Sequence, residues 1–167
     1  EESRLLDELE HTRHYLCIYQ FRMNNVLSYS IRQEDDVPNV RCPFCFLQPI
    51  VENSLKHGIK GVKTPLHIGI HLYRTEDGVG VDVSDDGVGM SPDEIARLNY
   101  QLTLPAQVDA ENHVGLMNVN ARIRYFYGPQ YTLSFAPQPA GVICRIRLGL
   151  KPASGMSSGH TQKEAHE

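Results

Sequence analysis

The hydrophobic positions of the chain follow two different periods along its length. Some stretches carry an apolar side chain at every third or fourth position, which predicts helices with one apolar face. These stretches are residues 3–21, 43–58 and 115–127. Others alternate between apolar and polar side chains, which is typical of β-strands. They are residues 26–31, 66–72, 79–83, 131–136 and 142–150. The mixture predicts an α/β domain in which helices pack on a sheet.

The connections between these elements carry specific turn and capping signals. Asp77 and Gly78 join two alternating stretches, and an Asp-Gly pair supplies the positive φ angles of a tight hairpin turn. Ser91 and Glu94 have the spacing of a capping box, which predicts a further helix that ends where residues 100–113 begin. Residues 100–113 have neither period. Because a long irregular loop inside a compact domain is usually functional, we interpret this segment as a lid.

The composition is that of an ordinary soluble domain. Hydrophobic residues make up 41% and charged residues 22% of the 167 positions, so we expect one compact unit. The net charge of −4 argues against a nucleic-acid partner. No apolar run reaches the roughly 20 residues that a membrane span needs. The chain opens with two glutamates instead of a signal region, so we expect a soluble fragment of a longer protein. Residues 152–167 are predicted to be a disordered tail.

Two cysteines have a spacing that could support chemistry. Cys42 and Cys45 form a C-x-x-C pattern ahead of a predicted helix, which could be a redox pair or half of a zinc site. No second pair completes four zinc ligands, and Cys45 enters an apolar run in which a free cysteine behaves as a small hydrophobe. A thiol redox module remains the less favoured alternative.

The first of three polar clusters lies on the predicted helix of residues 43–58. At about 100° per residue, Asn53 and His57 share one flank of this helix, beside its apolar stripe. An amide oxygen can ligate a hard cation such as Mg²⁺, which takes its remaining ligands from water and phosphates. The alternative is a solvated helix edge with an ion pair between Glu52 and Lys56.

The second cluster, residues 85–90, follows a predicted strand directly. Gly87 and Gly89 allow the backbone to turn sharply and to approach a planar ligand without a Cβ atom in the way. The Asp85 carboxylate can accept a hydrogen bond from an exocyclic amine such as that of adenine. The alternative is an ordinary turn between a strand and a helix.

The third cluster, residues 113–118, includes a glycine at the start of a predicted helix. Free N–H groups and the helix dipole make such a start suited to a phosphate. Alternatively, Gly115 serves only to enter the helix. A cation-binding amide, an amine-binding carboxylate and a phosphate-binding helix start, taken together and in this order, describe a pocket for Mg²⁺-ATP.

These clusters resemble three motifs of one protein family. Residues 47–58 resemble the N box of this family. Residues 85–90 resemble its first glycine box, and residues 115–123 its second. The chain is therefore similar to the ATP-binding domain of sensor histidine kinases, especially the LytS/YesM-like kinases. The wider group includes gyrase, Hsp90-type chaperones and MutL. The resemblance covers about residues 8–150.

The resemblance implies a fold and a division of the chain. The fold would be a two-layer α/β sandwich of the Bergerat type, with a mixed, largely antiparallel sheet and helices on one face. Residues 1–22 would end a helical dimerisation or linker segment, and residues 23–151 would form the catalytic domain. The parent protein would be a membrane-bound homodimer whose cytoplasmic domain takes ATP and Mg²⁺.

The resemblance also implies roles for individual residues. Asn53 would ligate Mg²⁺, with Lys56 and His57 near the phosphates. Asp85 would bind the adenine amine. Other nucleotide contacts would come from the two glycine boxes, under a lid formed by residues 100–114. These positions are Gly87, Gly89, Met90, Gly115, Leu116 and Asn118.

Departures from the motifs bear on the activity. Pro49 stands where gyrase-type ATPases carry a glutamate that activates water, which argues against self-contained hydrolysis. His113 replaces the usual first glycine of the second box. Neither His11 nor His14 has the context of a phosphoacceptor, so the accepting histidine would lie in another domain of the parent protein. Its product would pass to a response regulator. A GHKL-type ATPase switch or an anti-sigma-type serine kinase remains the alternative within this fold.

Overall fold

The computed structural model describes residues 1–23, 26–58, 65–104 and 114–150. Within these ranges the chain forms four helices, each of 12 or more residues. They are α1 (Leu5–Arg22), α2 (Leu47–Gly58), α3 (Pro92–Thr103) and α4 (Val114–Tyr127). The strands are β1 (Glu2–Arg4), β2 (Leu27–Gln33), β3 (Arg41–Pro43), β4 (Leu66–Arg74), β5 (Gly78–Asp85), β6 (Ser134–Pro137) and β7 (Val142–Gly149). No helix in these ranges is long and apolar enough to cross a membrane.

Five strands form one sheet in the order β2-β4-β5-β7-β6. The β2 and β4 pair is parallel, and the other three pairs are antiparallel. The strands β1 and β3 form a separate antiparallel pair. The predicted mixed, largely antiparallel sheet is therefore confirmed. The hairpin is also present, with Arg74 of β4 paired to Val79 of β5, but its predicted turn is wrong, because neither Asp77 nor Gly78 has a positive φ and Gly78 already belongs to β5.

The sheet buries one face and leaves the other polar. Along β4, Leu66, Ile68, Ile70 and Leu72 are buried, whereas the residues between them are only half-buried. The alternation follows from the two-residue period of a strand, which turns successive side chains to opposite faces. The apolar face joins the buried side chains of the helices in one core. The predicted two-layer α/β architecture is confirmed.

Two predicted helix starts were wrong because local backbone geometry intervenes. The first helix begins at Leu5 and not at residue 3, since Ser3 pairs with Cys42 in the β1–β3 ladder. The helix predicted from residue 43 begins at Leu47. Cys45 has a positive φ of 53°, which is incompatible with a right-handed helix.

The predicted boundary between α3 and the lid was also wrong. The capping box is present, since the Ser91 hydroxyl accepts from the Glu94 N–H while the Glu94 carboxylate accepts from the Ser91 N–H. The helix then continues through Thr103, because Leu102 is buried in the core. Residues 100–103 are therefore helical, and Val114 already belongs to α4. The remainder of the predicted lid, residues 105–113, and the predicted tail, residues 152–167, lie outside the described residues.

The strand predicted over residues 131–136 begins late, at Ser134. The buried Asn120 amide accepts a hydrogen bond from the Leu133 N–H at 2.9 Å and donates to the Leu102 carbonyl at 2.7 Å. The segment before β6 is thereby bound by α4. Asn120 thus ties the end of α3 to the approach to β6.

Candidate functional site

Asp85 is a buried carboxylate at the end of a central strand. It is the last residue of β5, is 5% exposed, and pairs with Ile68 of β4 and Val142 of β7. Burial raises the pKa of this carboxyl. Hydrogen bonds from the Gly87 N–H, at 3.1 Å, and from the Ser54 hydroxyl act in the opposite direction by favouring the ionised form. Asp85 is thus a hydrogen-bond acceptor held at one fixed place in a largely dry environment.

The C-terminal end of α2 contacts the turn that follows Asp85. A Cβ atom on Gly87 would lie 2.4 Å from the Gly58 Cα atom, which no side chain could accommodate without a backbone shift. A Cβ atom on Gly58 would lie 3.6 Å from the Asp85 Oδ1 atom. The two glycines therefore allow backbone to meet backbone beside the carboxylate. The first and second sequence clusters come together at this contact.

Two further glycines shape the turn on the other side of Asp85. Gly89 and Gly141 have positive φ angles of 69° and 77°, which favour glycine. A Cβ atom on Gly141 would lie 1.8 Å from the Asp85 carbonyl oxygen. Met90 is half-buried and packs against the core. The backbone around the carboxylate is consequently tight and depends on glycine at several points.

Asn53 lies on α2 immediately before the serine that contacts Asp85. Its side chain is half-buried and has no hydrogen-bond partner among the described residues. Lys56 is exposed and His57 is half-buried on the same helix. Glu52 accepts a hydrogen bond from the Gln48 amide at 2.7 Å. The predicted flank therefore offers an amide whose oxygen is available to a ligand.

Helix α4 packs on α2 and binds the chain ahead of it. The Tyr127 hydroxyl, near the end of α4, donates to the Arg41 carbonyl, and Arg122 donates to the carbonyls of Phe44 and Cys45. These contacts hold the C-terminal half of α4 against the segment that leads into α2.

The residues predicted at the start of α4 differ in their exposure. Gly115 is exposed, and a Cβ atom there would meet nothing within 4 Å in the part of the chain that the structure describes. Leu116 is buried, and Asn118 is exposed. The close approach of Gly58 to Gly87 joins the first two clusters, but no side-chain hydrogen bond in the described ranges reaches Gly115 or Asn118. The open surface at Gly115 leaves its backbone accessible to a ligand.

Comparison with known proteins identifies the family. Residues 46–152 match the family of histidine kinase-, DNA gyrase B- and HSP90-like ATPases, a range that includes every site residue described above. The chain belongs to this ATPase family. Among its relatives, a sensor protein LytS from Oceanobacillus iheyensis is 30% identical over 84% of this chain. The sensor histidine kinase YpdA from Escherichia coli is 30% identical over 77%. The chain spans 24% and 21% of the lengths of these two relatives.

Solved structures agree with this ATPase fold. The catalytic domain of the histidine kinase ThkA aligns with a TM-score of 0.64 at 12% identity, covering 91% of this chain and 97% of that one. The ATP-binding domain of PrrB from Mycobacterium tuberculosis aligns with a TM-score of 0.58 at 18% identity, covering 89% and 96%. At these identities the likeness concerns the fold alone.

Three residues around the ATPase-family motifs were not predicted as part of the site. Ser54 and Gly58 lie within the helix predicted over residues 43–58 but were given no part in the site, and Gly141 follows the strand predicted over residues 131–136. A serine within an otherwise apolar buried stripe was the available signal for the first, because a buried hydroxyl needs a partner. The other two depend on contacts between distant parts of the chain, which no local pattern reveals.

The cysteines do not have the properties of a redox pair. Cys42 is fully buried, and burial raises the pKa of its thiol to about 12, whereas a reactive thiol needs a lowered pKa. Burial also raises the pKa of the Cys45 thiol, and both cysteines are free. No group of three or more His, Cys, Asp or Glu in the described ranges could hold a metal ion. The buried thiols argue against the redox alternative.

Proposed function

We propose that this domain binds Mg²⁺-ATP and presents its γ-phosphoryl group to a histidine in another domain of a sensor histidine kinase. The observation that carries the proposal is the buried Asp85 carboxylate, flanked by closely packed glycines, in a chain of the ATPase family. A fixed acceptor beside bare backbone suits a flat heterocycle with an exocyclic amine.

The residues present fit a magnesium-nucleotide. Asn53 has a half-buried amide without a protein partner among the described residues, and its oxygen would ligate Mg²⁺. Asp85 would accept a hydrogen bond from the adenine amine, and Gly87, Gly89 and Met90 would line the base. When bound, the metal would neutralise charge on the phosphate oxygens during phosphoryl transfer.

The chain's own contribution would be positioning and not covalent chemistry. Gly115 and Leu116 would offer backbone N–H groups at the positive end of the α4 dipole, where a phosphate is favoured. Asn118, Lys56 and His57 would contact the phosphates from the two helices. The accepting histidine would supply the nucleophile, so these residues need only orient and shield the nucleotide.

We base the proposed partners of the parent protein on its relatives and on solved structures. A solved complex of the histidine kinase ThkA with the response regulator TrrA includes a domain that aligns with 90% of this chain at a TM-score of 0.62. By analogy, the parent protein would be a membrane-bound homodimer with residues 23–151 as its cytoplasmic catalytic domain. Residues 1–22 would continue from the helical segment that carries the accepting histidine.

Transfer of label from ATP tests the proposed function. The parent protein, incubated with Mg²⁺ and ATP labelled at the γ-phosphate, should become labelled at a histidine, and the label should be labile to acid. Acid-stable label on serine would favour the anti-sigma-type kinase. Steady release of inorganic phosphate by residues 1–151 alone would favour an ATPase switch, against which Pro49 of α2 argues because it offers no proton acceptor.

A further inference from the structure

A buried glutamate on α1 holds the backbone immediately before α2. Glu8 is 2% exposed, and its two carboxylate oxygens accept separate hydrogen bonds, from the Cys45 N–H at 2.9 Å and from the Phe46 N–H at 3.1 Å. Residues 44–46, here called the junction segment, lead directly into Leu47, the first residue of α2. One side chain of α1 thus binds the N–H groups of the two residues that precede this helix.

The backbone of the junction segment is shaped for an anion. Cys45 has a positive φ of 53°, an unfavourable conformation for a residue with a side chain. Successive N–H groups that point the same way around such a residue form a concave site for negative charge. The Glu8 carboxylate occupies this site, and its two hydrogen bonds offset the cost of the strained conformation.

A second helix holds the same segment from its carbonyl side. The Arg122 guanidinium of α4 donates to the Phe44 carbonyl at 2.7 Å and to the Cys45 carbonyl at 3.1 Å. The N–H groups of Cys45 and Phe46 are therefore bound by α1, and the carbonyl groups of Phe44 and Cys45 by α4. Because charge-assisted hydrogen bonds from two helices hold the junction segment, its position is fixed. The junction segment in turn fixes where α2 begins.

We propose that Glu8 is a positioning residue for the nucleotide site. Asn53 lies six residues after the start of α2, about 9 Å along a rigid helix at 1.5 Å per residue. A displacement of the junction segment is carried along α2 to Asn53 and to Gly58, which lies against Gly87 beside the Asp85 carboxyl. Glu8 therefore sets the distance between the magnesium-binding amide and the adenine-binding carboxylate. This inference rests on the proposed function.

The substitution Glu8→Gln tests the role with little change of shape. An amide can accept from one junction N–H group but turns its own NH₂ group toward the other. Glu10→Gln is the matched control, because Glu10 is on the same helix but is exposed and pairs only with Arg13 among the described residues. Ile146→Val in β7 is a stability control, because it removes one buried methylene group from the core of the sheet, away from the junction segment.

Calorimetry of residues 1–151 with Mg²⁺-ATP, at a temperature where every variant is folded, measures the effect. Glu8→Gln should weaken binding about tenfold or more, which is typical when a residue that orients a ligand is lost. The two controls should bind like the parental sequence. In an Asn53→Ala background, Glu8→Gln should cause a much smaller further loss, because it acts through the residue already removed.

A purely structural role predicts a different result. If Glu8→Gln lowered the unfolding temperature but left the dissociation constant within twofold of the parental value, the positioning role would be wrong. If Glu8→Gln does not fold, Arg122→Gln replaces it, with Arg13→Gln as its control, and the same outcomes apply. Arg122 is exposed at the surface of α4, so its loss is easier to tolerate.

Amide hydrogen exchange separates this inference from the proposed function. The Gly87 N–H donates to Asp85 beside the end of α2, and its exchange should accelerate in Glu8→Gln but not in Glu10→Gln. If the parental sequence did not bind Mg²⁺-ATP but Glu8→Gln still accelerated exchange at Gly87, only the proposed function would be overturned. Unchanged Gly87 exchange in Glu8→Gln would overturn the positioning role, whatever the nucleotide result.

Discussion

Replacement of Asp85 by asparagine should reverse one hydrogen bond to the nucleotide base. The backbone N–H of Gly87 donates to Oδ1 at 3.1 Å and cannot act as an acceptor, so the asparagine oxygen should keep this position. The amide nitrogen then replaces Oδ2, and a donor faces the adenine amine, which is also a donor. A hydrogen bond to a charged acceptor contributes about 1.5–3 kcal/mol, which corresponds to a loss of roughly 10- to 150-fold in ATP affinity.

Calorimetric titration of the domain in saturating Mg²⁺ measures this loss, and Asp86→Asn is the matched control. Asp86 is exposed, and its carboxylate accepts the His67 N–H at 2.6 Å, so the same chemical change one residue away should leave ATP affinity within about twofold. GTP presents a carbonyl at the corresponding ring position. Its affinity for Asp85→Asn should rise relative to that of ATP, because the new amide nitrogen can donate to this carbonyl. Equal ATP binding by the parental sequence and Asp85→Asn, or an equal loss in both variants, would refute the assignment.

Comparison with Asp85→Asn also tests how the stability of the domain depends on pH. Burial raises the pKa of the Asp85 carboxyl above its value in the unfolded chain, so its contribution to stability is complete at low pH and is lost as the pH rises through the raised value. Asparagine does not ionise. The stability of the parental domain should therefore decline relative to Asp85→Asn across this interval, as measured by denaturant unfolding at a series of pH values. A constant difference between the two proteins would contradict the raised pKa.

Three further substitutions test separate parts of the account. Asn53→Ala should reduce ATP affinity in Mg²⁺ to the level seen with a chelator, while the unfolding temperature stays close to the parental value. Calorimetry with Gln48→Ala as the control checks this. If Mg²⁺ still raised the ATP affinity of Asn53→Ala, the ligand role would be wrong. Gly87→Ala forces a Cβ atom to 2.4 Å from the Gly58 Cα atom. It should lower the free energy of unfolding by about 1–3 kcal/mol and also lower ATP affinity. If neither value changed, the two backbones would be able to separate freely. Asn120→Ala removes two buried hydrogen bonds to backbone groups and should cost about 2–4 kcal/mol in denaturant unfolding, and a cost below about 1 kcal/mol would contradict their burial.

Local sequence patterns predicted the elements that depend on local interactions. The capping box at Ser91 was correct, as was the hairpin between β4 and β5 although not its turn geometry, because the residues that form them are neighbours in sequence. The end of α3 was not, since residues 100–103 remain helical through the burial of Leu102 and through bonds from Arg124 to three carbonyls at the end of α3. Contacts that come from another helix leave no periodic signal.

The same distinction applies to the candidate site. Asp85 and Gly87 are two residues apart, so a local pattern was sufficient to single out both of them, and their role in nucleotide binding stays a prediction. The hydroxyl of Ser54 and the carboxylate of Glu8 have partners 31 and 37 or more residues away in the chain, so their roles emerged only from the packed structure. A polar residue on an apolar face indicates that a partner exists but does not identify it.

Titration of the unaltered domain with ATP, in the presence and absence of Mg²⁺, tests the central claim most directly. The account predicts saturable binding of one nucleotide per chain, with a clear gain in affinity when Mg²⁺ is present. An absence of heat with Mg²⁺-ATP at millimolar nucleotide would contradict it, since a folded domain of this family would then lack the ligand for which Asn53, Asp85 and Gly115 are proposed to be arranged.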